Sequence, residues 1–309
     1  MRSILVTGGA GFIGSNLTLR LQELHPKAWI TVIDDFRSGD FKNLQGFRGD
    51  IVAADVSRLD WKAQFKRPSW DAVFHLASIT DTTEHKQALQ IFDNVEGFRK
   101  LLEFTAPSGK PVVYASSAAT YGISSGVNRL DDPAAPANVY AFSKVHLDNL
   151  ARHHAAKNPK RKIVGLRYFN VYGPREAHKG IPASMIYHLA QQLQAGKKPR
   201  IFKYGEQKRD FVYVKDIVAY TIAALKAPKS VILNAGSGQP RPFNDLITVL
   251  NSVLGTSLET EYFDCPFSFY QPHTEADMSL TQKILGIGPE YTLEKGIRDY
   301  FDSGFLIKK

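Results

Sequence analysis

Tyr140 and Lys144 stand four residues apart in "NVYAFSK", at the start of a stretch that reads as helix, so their side chains lie one turn apart on one face. A phenol titrates at about 10 and is a weak base at neutral pH. An ammonium beside it favours the phenolate by its charge. Ser117, the last residue of the apolar run "VVYASS", adds a hydroxyl able to hold the same substrate oxygen. The three together can take the proton of an alcohol while its carbon gives up hydride, provided a hydride acceptor lies nearby. Y-x-x-x-K alone occurs by chance in many helices, so its weight depends on what else the chain carries.

A holder for such an acceptor is written at the other end of the sequence. "VTGGAGFIGSNL" follows the first apolar run and opens the first helical pattern; Gly9, Gly11 and Gly14 satisfy G-x-G-x-x-G, and Gly8, Gly11 and Gly14 the related G-x-x-G-x-x-G. Glycines there permit a tight turn, let the backbone approach a pyrophosphate and bring helix against strand, while the N–H groups at the helix start hold the anion. Asp34 ends the second apolar run, twenty positions past Gly14. It is placed for a ribose 2′-hydroxyl, which favours NAD, whereas Arg37 just beyond can accept the 2′-phosphate of NADP. Asp55, after the third run, can meet an adenine amino group or simply end a strand. His75 can face a ligand or fill a core. Leu76, Ala77 and Ser78 lie at the end of the fourth run, where the strand order of such sheets reverses and a cofactor lies.

Both constellations need a parallel sheet to position them. The runs "SILVT" (3–7), "ITVID" (30–34), "DIVAAD" (50–55), "DAVFHLA" (71–77), "VVYASS" (112–117) and "KIVGLRY" (162–168) are apolar throughout, rich in β-branched residues and separated by helical patterns. That predicts an α/β fold with a Rossmann-type, doubly wound parallel sheet covered on both faces. After Gly173-Pro174 the pattern loosens. A helix is expected over about 182–195, short strands near 200–203 and 211–214, a helix over about 215–226, a strand at 231–236 and a helix near 243–254. The division expected is a dinucleotide-binding domain over 1–172 and a smaller substrate-binding α/β region over 173–309, some segments of which return to the main sheet.

Composition narrows the class. The chain has 309 residues, 43% hydrophobic and 22% charged, as an ordinary globular protein does. Cys265 is the single cysteine, so no intrachain disulfide forms and no Cys/His metal cluster is written. No leader precedes the first strand and no window approaches eighteen apolar residues, which gives a cytoplasmic expectation without a membrane. The charge of +9 admits nucleic acid or a phosphorylated small molecule. "KNPKRK" (157–162) reads as a solvated face, and no basic motif interleaved with aromatics is present, so nucleic acid is not expected.

With these residues in hand the chain resembles, over essentially its full length, the extended short-chain dehydrogenase/reductase family. "RYFNVYGPREAHKG" (167–180), "KRDFVYVKDI" (208–217) and "ASSAATYG" are similar to its nucleotide-sugar epimerases, in particular those acting on carbon 6 of an ADP-linked heptose. The resemblance implies a nicotinamide cofactor retained through the cycle, NADP with NAD as the other possibility. It implies two acid/base groups, Tyr140 and Lys179 of "HKG", one for each face of a transient ketone. Carried over by motif, Phe12, Ile13, Asp34, Asp35, Asn94, Lys144 and Val171 fall on the cofactor. Asn170, His188, Phe202, Arg209 and Tyr270 fall on the substrate, a nucleotide-diphosphate sugar expected to be ADP-heptose. Arg209 can grip the diphosphate in a fork or pair with Asp210 or Asp216 to brace a loop; His188 can touch substrate or pack. A homo-oligomer is implied as well.

The chain departs from that pattern at Ile181-Pro182, where a serine is usual, at Phe202-Lys203-Tyr204-Gly205, and at "LASI" (76–79). Ala118-Ala119 stands where sugar-nucleotide dehydratases have Asp-Glu, which argues against dehydration. A UDP-hexose 4-epimerase is the alternative enzyme, and a catalytically silent NAD(P)-binding sensor the alternative outside catalysis.

Overall fold

The computed structural model describes residues 1–66, 70–80, 86–265 and 271–307. Its first half runs β1 (Ser3–Thr7), α1 (Phe12–Leu24), β2 (Trp29–Asp34), β3 (Asp50–Ala53), α2 (Trp61–Phe65), β4 (Ala72–His75), α3 (Gln87–Thr105), β5 (Val112–Ser117), β6 (Val127–Asn128), α4 (Val139–Lys157) and β7 (Ile163–Tyr168). The second half adds β8 (Asn170–Tyr172), α5 (Met185–Gln194), β9 (Arg200–Phe202), β10 (Lys208–Tyr213), α6 (Val214–Ala223), β11 (Val231–Ala235) and β12 (Pro240–Pro242). It ends with α7 (Phe243–Leu254), β13 (Glu261–Phe263), β14 (Glu275–Ala276), α8 (Ser279–Leu285) and α9 (Leu293–Asp302).

Seven strands form one parallel sheet in the order β11-β7-β5-β4-β1-β2-β3, the doubly wound arrangement expected. Leu5 of β1 lies opposite Thr31 on one side and Val73 on the other. Successive residues of a strand face opposite layers: Ile4 and Val6 join a core with Leu17, Phe74 and Tyr220, whereas Leu5 joins one with Phe98, Tyr114 and Leu147. Both faces being covered, the strands can be apolar without alternation. The strand order reverses between β1 and β4, which leaves a crevice at their carboxyl ends.

A third core gathers α5, α7 and α9 around β10, with Ile186, Leu189, Phe211, Leu246, Leu250 and Ile297 at its centre. Here β10 pairs parallel with β8 and antiparallel with β12. Asp210, fully buried on β10, accepts from the backbone N–H groups of Ser237 (2.6 Å), Gly238 (2.9 Å) and Ala276 (2.9 Å). The second half also reaches back: β11 supplies the outermost strand beside β7, Leu233 opposite Leu166, and α6 packs against α1.

One expectation needs correction. Arg161, within the supposedly solvated run 157–162, is buried. Its guanidinium donates to Leu102 O (2.9 Å), Lys110 O (3.3 Å) and the Thr105 hydroxyl, and burial pulls its pKa down to about 10. The last turn of a helix leaves carbonyls without partners, and a cation there answers them. Lys157 and Lys160 do remain exposed. Among the described residues no helix is long and apolar enough to cross a membrane, and no cluster of His, Cys, Asp and Glu could hold a metal.

Candidate active site

The turn from β1 into α1 is shaped by glycine. Gly8 has φ +72°, and a Cβ there would stand 2.5 Å from the Ala77 nitrogen; a Cβ on Gly14 would stand 1.9 Å from the Gly8 oxygen. Gly11 is the N-cap of α1 and no side chain caps the first-turn N–H groups. Close backbone and uncapped donors are what a dinucleotide pyrophosphate requires, so these residues fit that cofactor. Asp34 is buried and accepts from Ala10 N on one oxygen (2.8 Å) and Phe36 N on the other (2.9 Å). Burial raises its pKa against those hydrogen bonds. Its carboxylate therefore shapes the loop in addition to facing any ribose. Phe12 and Ile13 open α1, and Ile13 and Val171 each pack between two of the cores.

Arg37 does not extend freely toward a cofactor. It donates to Asp35 (2.6 Å), Asp55 (3.1 Å) and Asp93 (2.7 Å), while Arg58 bonds Asp55 and reaches Asp93 at 2.7 Å. Burial would raise the pKa of Asp55, but hydrogen bonds from Ser57 and Arg58 hold it below the usual range. Beyond β4, Leu76 N donates to Thr7 O (3.0 Å). Asn94 of α3 brackets the same segment, accepting from Ile79 N (2.7 Å) and donating to Ile79 O (3.1 Å). His75 proves to be a core residue. It bonds the Thr7 hydroxyl (2.8 Å), stacks on Phe98 with centroids 5.0 Å apart, and burial pulls its pKa to about 3.

Helix α4 begins at Asn138, whose side chain accepts from Ala141 N at 2.8 Å. Asn94 donates to the Ser143 hydroxyl (2.9 Å), which donates to Tyr140 O (2.7 Å), so α3 and α4 are pinned beside the Tyr140 turn. Ser117 ends β5, and its hydroxyl accepts from Ala119 N at 3.1 Å. Lys144 is only 2% exposed, donates to Ala115 O at 2.9 Å and lies 5.7 Å from the Tyr140 ring centroid. Burial pulls its pKa down to about 8, with Asp148 opposing. Burial also pushes the Tyr140 phenol up, and only Ser117 works against it. This is opposite in direction to the expected effect of the ammonium. Burial sets the direction, and the Lys144 ammonium, which gives its hydrogen bond to Ala115 O, does not reverse it.

Asp148, which no motif marks, lies one further turn along the Tyr140–Lys144 face. It is fully buried, accepts from the Tyr114 hydroxyl (2.8 Å) and takes both Nε and a terminal nitrogen of Arg167, each at 3.1 Å. The signal was an i, i+4, i+8 series; its partners lie on other strands and left no local trace.

Lys179 closes a 3₁₀ turn, Ala177–Lys179, in the loop after Gly173-Pro174. Its Nζ stands 5.5 Å from the ring centroid of Phe12, which brings it to the mouth of the glycine loop. Burial lowers its pKa, with Glu176 opposing. Glu176 is fully buried and accepts from Gly173 N (3.1 Å), Ser184 N (2.6 Å) and the Ser184 hydroxyl (2.9 Å).

The residues expected on the substrate are more scattered. Asn170 on β8 donates to Asp210 O (3.3 Å) and Thr274 Oγ1 (3.1 Å). His188 on α5 bonds Ile181 O at 3.1 Å and so joins the Lys179 loop. Phe202 meets Phe263 edge-on, centroids 5.0 Å apart. Arg209 donates to Lys208 O (2.9 Å) and lies 5.9 Å from the Phe243 ring centroid. Its two candidate bracing partners serve backbone N–H groups elsewhere, Asp216 those of Glu290 and Tyr291. Tyr270 lies outside the described residues.

A doubly wound sheet with a glycine loop at its switch point and a Ser–Tyr–Lys group at the neighbouring strand end defines a class of dinucleotide-dependent enzymes. Residues 4–236 match the NAD dependent epimerase/dehydratase family, and the chain belongs to it. The ADP-L-glycero-D-manno-heptose-6-epimerase of Alkalilimnicola ehrlichii is 36% identical, with 97% of each chain covered. The crystal structure of the Helicobacter pylori enzyme of the same name superposes with a TM-score of 0.91 at 40% identity, over 98% of this chain and 96% of that one. UDP-glucuronic acid 4-epimerase from Bacillus cereus, solved with UDP-glucuronic acid and NAD, gives 0.84 at 28% identity over 97% and 98%.

Proposed function

We infer that this chain inverts carbon 6 of ADP-D-glycero-D-manno-heptose to give ADP-L-glycero-D-manno-heptose. The substrate reading is supported by near full-length identity of 36% and 40% to enzymes of that name, against 28% to a 4-epimerase. The geometry that supports the two-faced chemistry is the pair Tyr140 and Lys179: Tyr140 beside Lys144, which bonds Ala115 of the Ser117 strand, and Lys179 beside Phe12 of the glycine loop.

A nicotinamide dinucleotide bound along Gly8–Gly14 supplies the hydride acceptor and donor. All proton movement falls to the protein. With the sugar oxygen turned toward Ser117, Tyr140 takes the hydroxyl proton as the carbon loses hydride, and Lys144 steadies the phenolate. With the oxygen turned the other way, Lys179 gives or takes that proton. The hydride returns to the opposite face of the ketone, so the cycle is redox-neutral and only the handedness changes.

For the dinucleotide, the NADP implied by resemblance would require Arg37 to release carboxylates for a 2′-phosphate. That phosphate would enter beside Asp34, Asp35, Asp55 and Asp93, where Arg37 and Arg58 already serve carboxylates. The charge balance favours NAD. Mass spectrometry of the dinucleotide released from purified protein tests this, and NADP would overturn it.

The reading places the enzyme in the cytoplasm, as a homo-oligomer measurable by light scattering, with its product directed to the lipopolysaccharide core. Its test is incubation with ADP-D-glycero-D-manno-heptose and NMR at carbon 6, where inversion is expected. An unchanged carbon 6, with carbon 4 of UDP-glucose inverted instead, would transfer the chain to the 4-epimerases.

A further inference from the structure

The loop that carries Lys179 has little regular structure of its own. Gly173 has φ +145° and Arg175 φ +70°; a non-glycine residue at positive φ stays there only when its surroundings hold it. Three side chains do so. Glu176 holds the loop from within, through Gly173 and Ser184. Asn16 of α1 donates to Pro174 O at 2.9 Å. Asn43, in the 3₁₀ turn Phe41–Leu44, is 7% exposed and connects His178 to Ala10, its amide nitrogen lying 3.0 Å from His178 Nδ1 and 3.0 Å from Ala10 O.

The chemistry of that amide fixes its direction. Ala10 O can only accept, so the group facing it is the NH₂ of Asn43 and not its oxygen. The second amide hydrogen then points to His178 Nδ1, which must offer a lone pair, so the ring is neutral with its proton on Nε2. Ala10 in turn donates its N–H to Asp34. One line of hydrogen bonds thus runs from Asp34 through Ala10 and Asn43 to His178, the residue beside Lys179.

We propose that Asn43 is a positioning residue for the second acid/base group, locking the loop of Lys179 to the glycine loop through His178 so that Lys179 reaches its working place only when both loops are seated. This rests on the two-base reading above. No motif singled out Asn43, because its role lies wholly in partners distant in sequence.

Each epimer presents its oxygen to a different base, so the two bases can be read apart. In single-turnover experiments with pure D-glycero and L-glycero substrates, Lys179→Met is expected to slow the first hydride transfer of one epimer and spare the other. Asn43→Ala should slow that same epimer by roughly 10-fold or more and leave the other within about twofold. Hydrogen exchange gives a readout independent of turnover: amides of residues 176–183 should exchange faster in Asn43→Ala, while those of 140–148 are unchanged. Should Asn43→Ala fail to fold, His178→Leu should reproduce the selectivity, and His178→Gln, which keeps an acceptor, should restore most of the rate. Equal slowing of both epimers by Asn43→Ala, or unaltered exchange over 176–183, overturns the inference while a selective Lys179→Met leaves the two-base reading standing. A Lys179→Met variant that slows both epimers alike overturns that reading and the inference together.

Discussion

Tyr140 and Lys179 are assigned the same task from two sides, yet they are held by opposite means. Tyr140 sits on α4, a regular helix whose period alone places Lys144 and Asp148 on its face and whose first turn is capped by Asn138. Lys179 sits on a loop that takes its shape from contacts far along the chain: Asn43 with His178 spans 135 residues, and Asn16 with Pro174 spans 158. A helix turns spacing into geometry, so its chemistry can be read locally. A loop stores its geometry in its neighbours.

The contrast can be broken most forcefully at Tyr140. Tyr140→Phe keeps the helix and the packing but removes the proton carrier, and epimerisation should fall by about 10³-fold or more while dinucleotide stays bound; undiminished turnover would remove Tyr140 from its role. Lys179→Met should cost roughly 10²-fold in turnover without lowering Tm, because the loop is held by Glu176, Asn16 and Asn43 and not by the lysine. A large loss of Tm would show instead that Lys179 is structural.

Lys144 sharpens the comparison through stability. Its ammonium is buried, and bringing its pKa from the ordinary 10.5 to about 8 costs the fold roughly 3 kcal/mol at neutral pH. Between those two values the unfolded chain holds the proton that the folded chain has released, so this cost fades as pH rises from about 8 toward 10.5. Lys144→Met, although inactive, should therefore melt a few degrees above the parent at pH 7, less about 1 kcal/mol for the orphaned Ala115 carbonyl, and the gap should close above pH 8. A Tm below the parent at pH 7 would contradict it. The smallest effect on turnover is expected from Asp148→Asn, which keeps the volume but removes the charge favouring the Lys144 ammonium; its Tm should fall, because buried Arg167 loses its carboxylate. The alkaline limb of the kcat profile should move to lower pH, and a profile that merely scales down would mean that Asp148 only packs.

The same division explains what was legible beforehand. Strands such as 3–7 and 112–117 were plain because a sheet covered on both faces demands unbroken apolar runs, and Ser117, Tyr140 and Lys144 followed from their places in regular elements. The run 50–55 was read too long: β3 stops at Ala53, and Asp55 belongs to the cage of Arg37 and Arg58. Arg161 was misread because the carbonyls it answers, Leu102 in α3 and Lys110 ahead of β5, lie more than fifty residues earlier. The direction of the Tyr140 shift was missed because it depends on how deeply the phenol is enclosed, which spacing does not encode. The departure Ile181-Pro182 falls at the tip of the Lys179 loop, where Ile181 is 94% exposed, so the apolar side chain there answers to no internal packing.

The outer position of β11 has a consequence for synthesis. Until residues 231–235 leave the ribosome, β7 presents an unpaired row of backbone donors and acceptors on its outer side. At ordinary translation rates the intervening sixty or so residues take about 3–12 s. During that interval a nascent chain is able to add a foreign strand to its own edge. Truncation after 172 would make that hazard permanent, and slower growth at low temperature with chaperone coexpression is the sensible way to produce the intact protein.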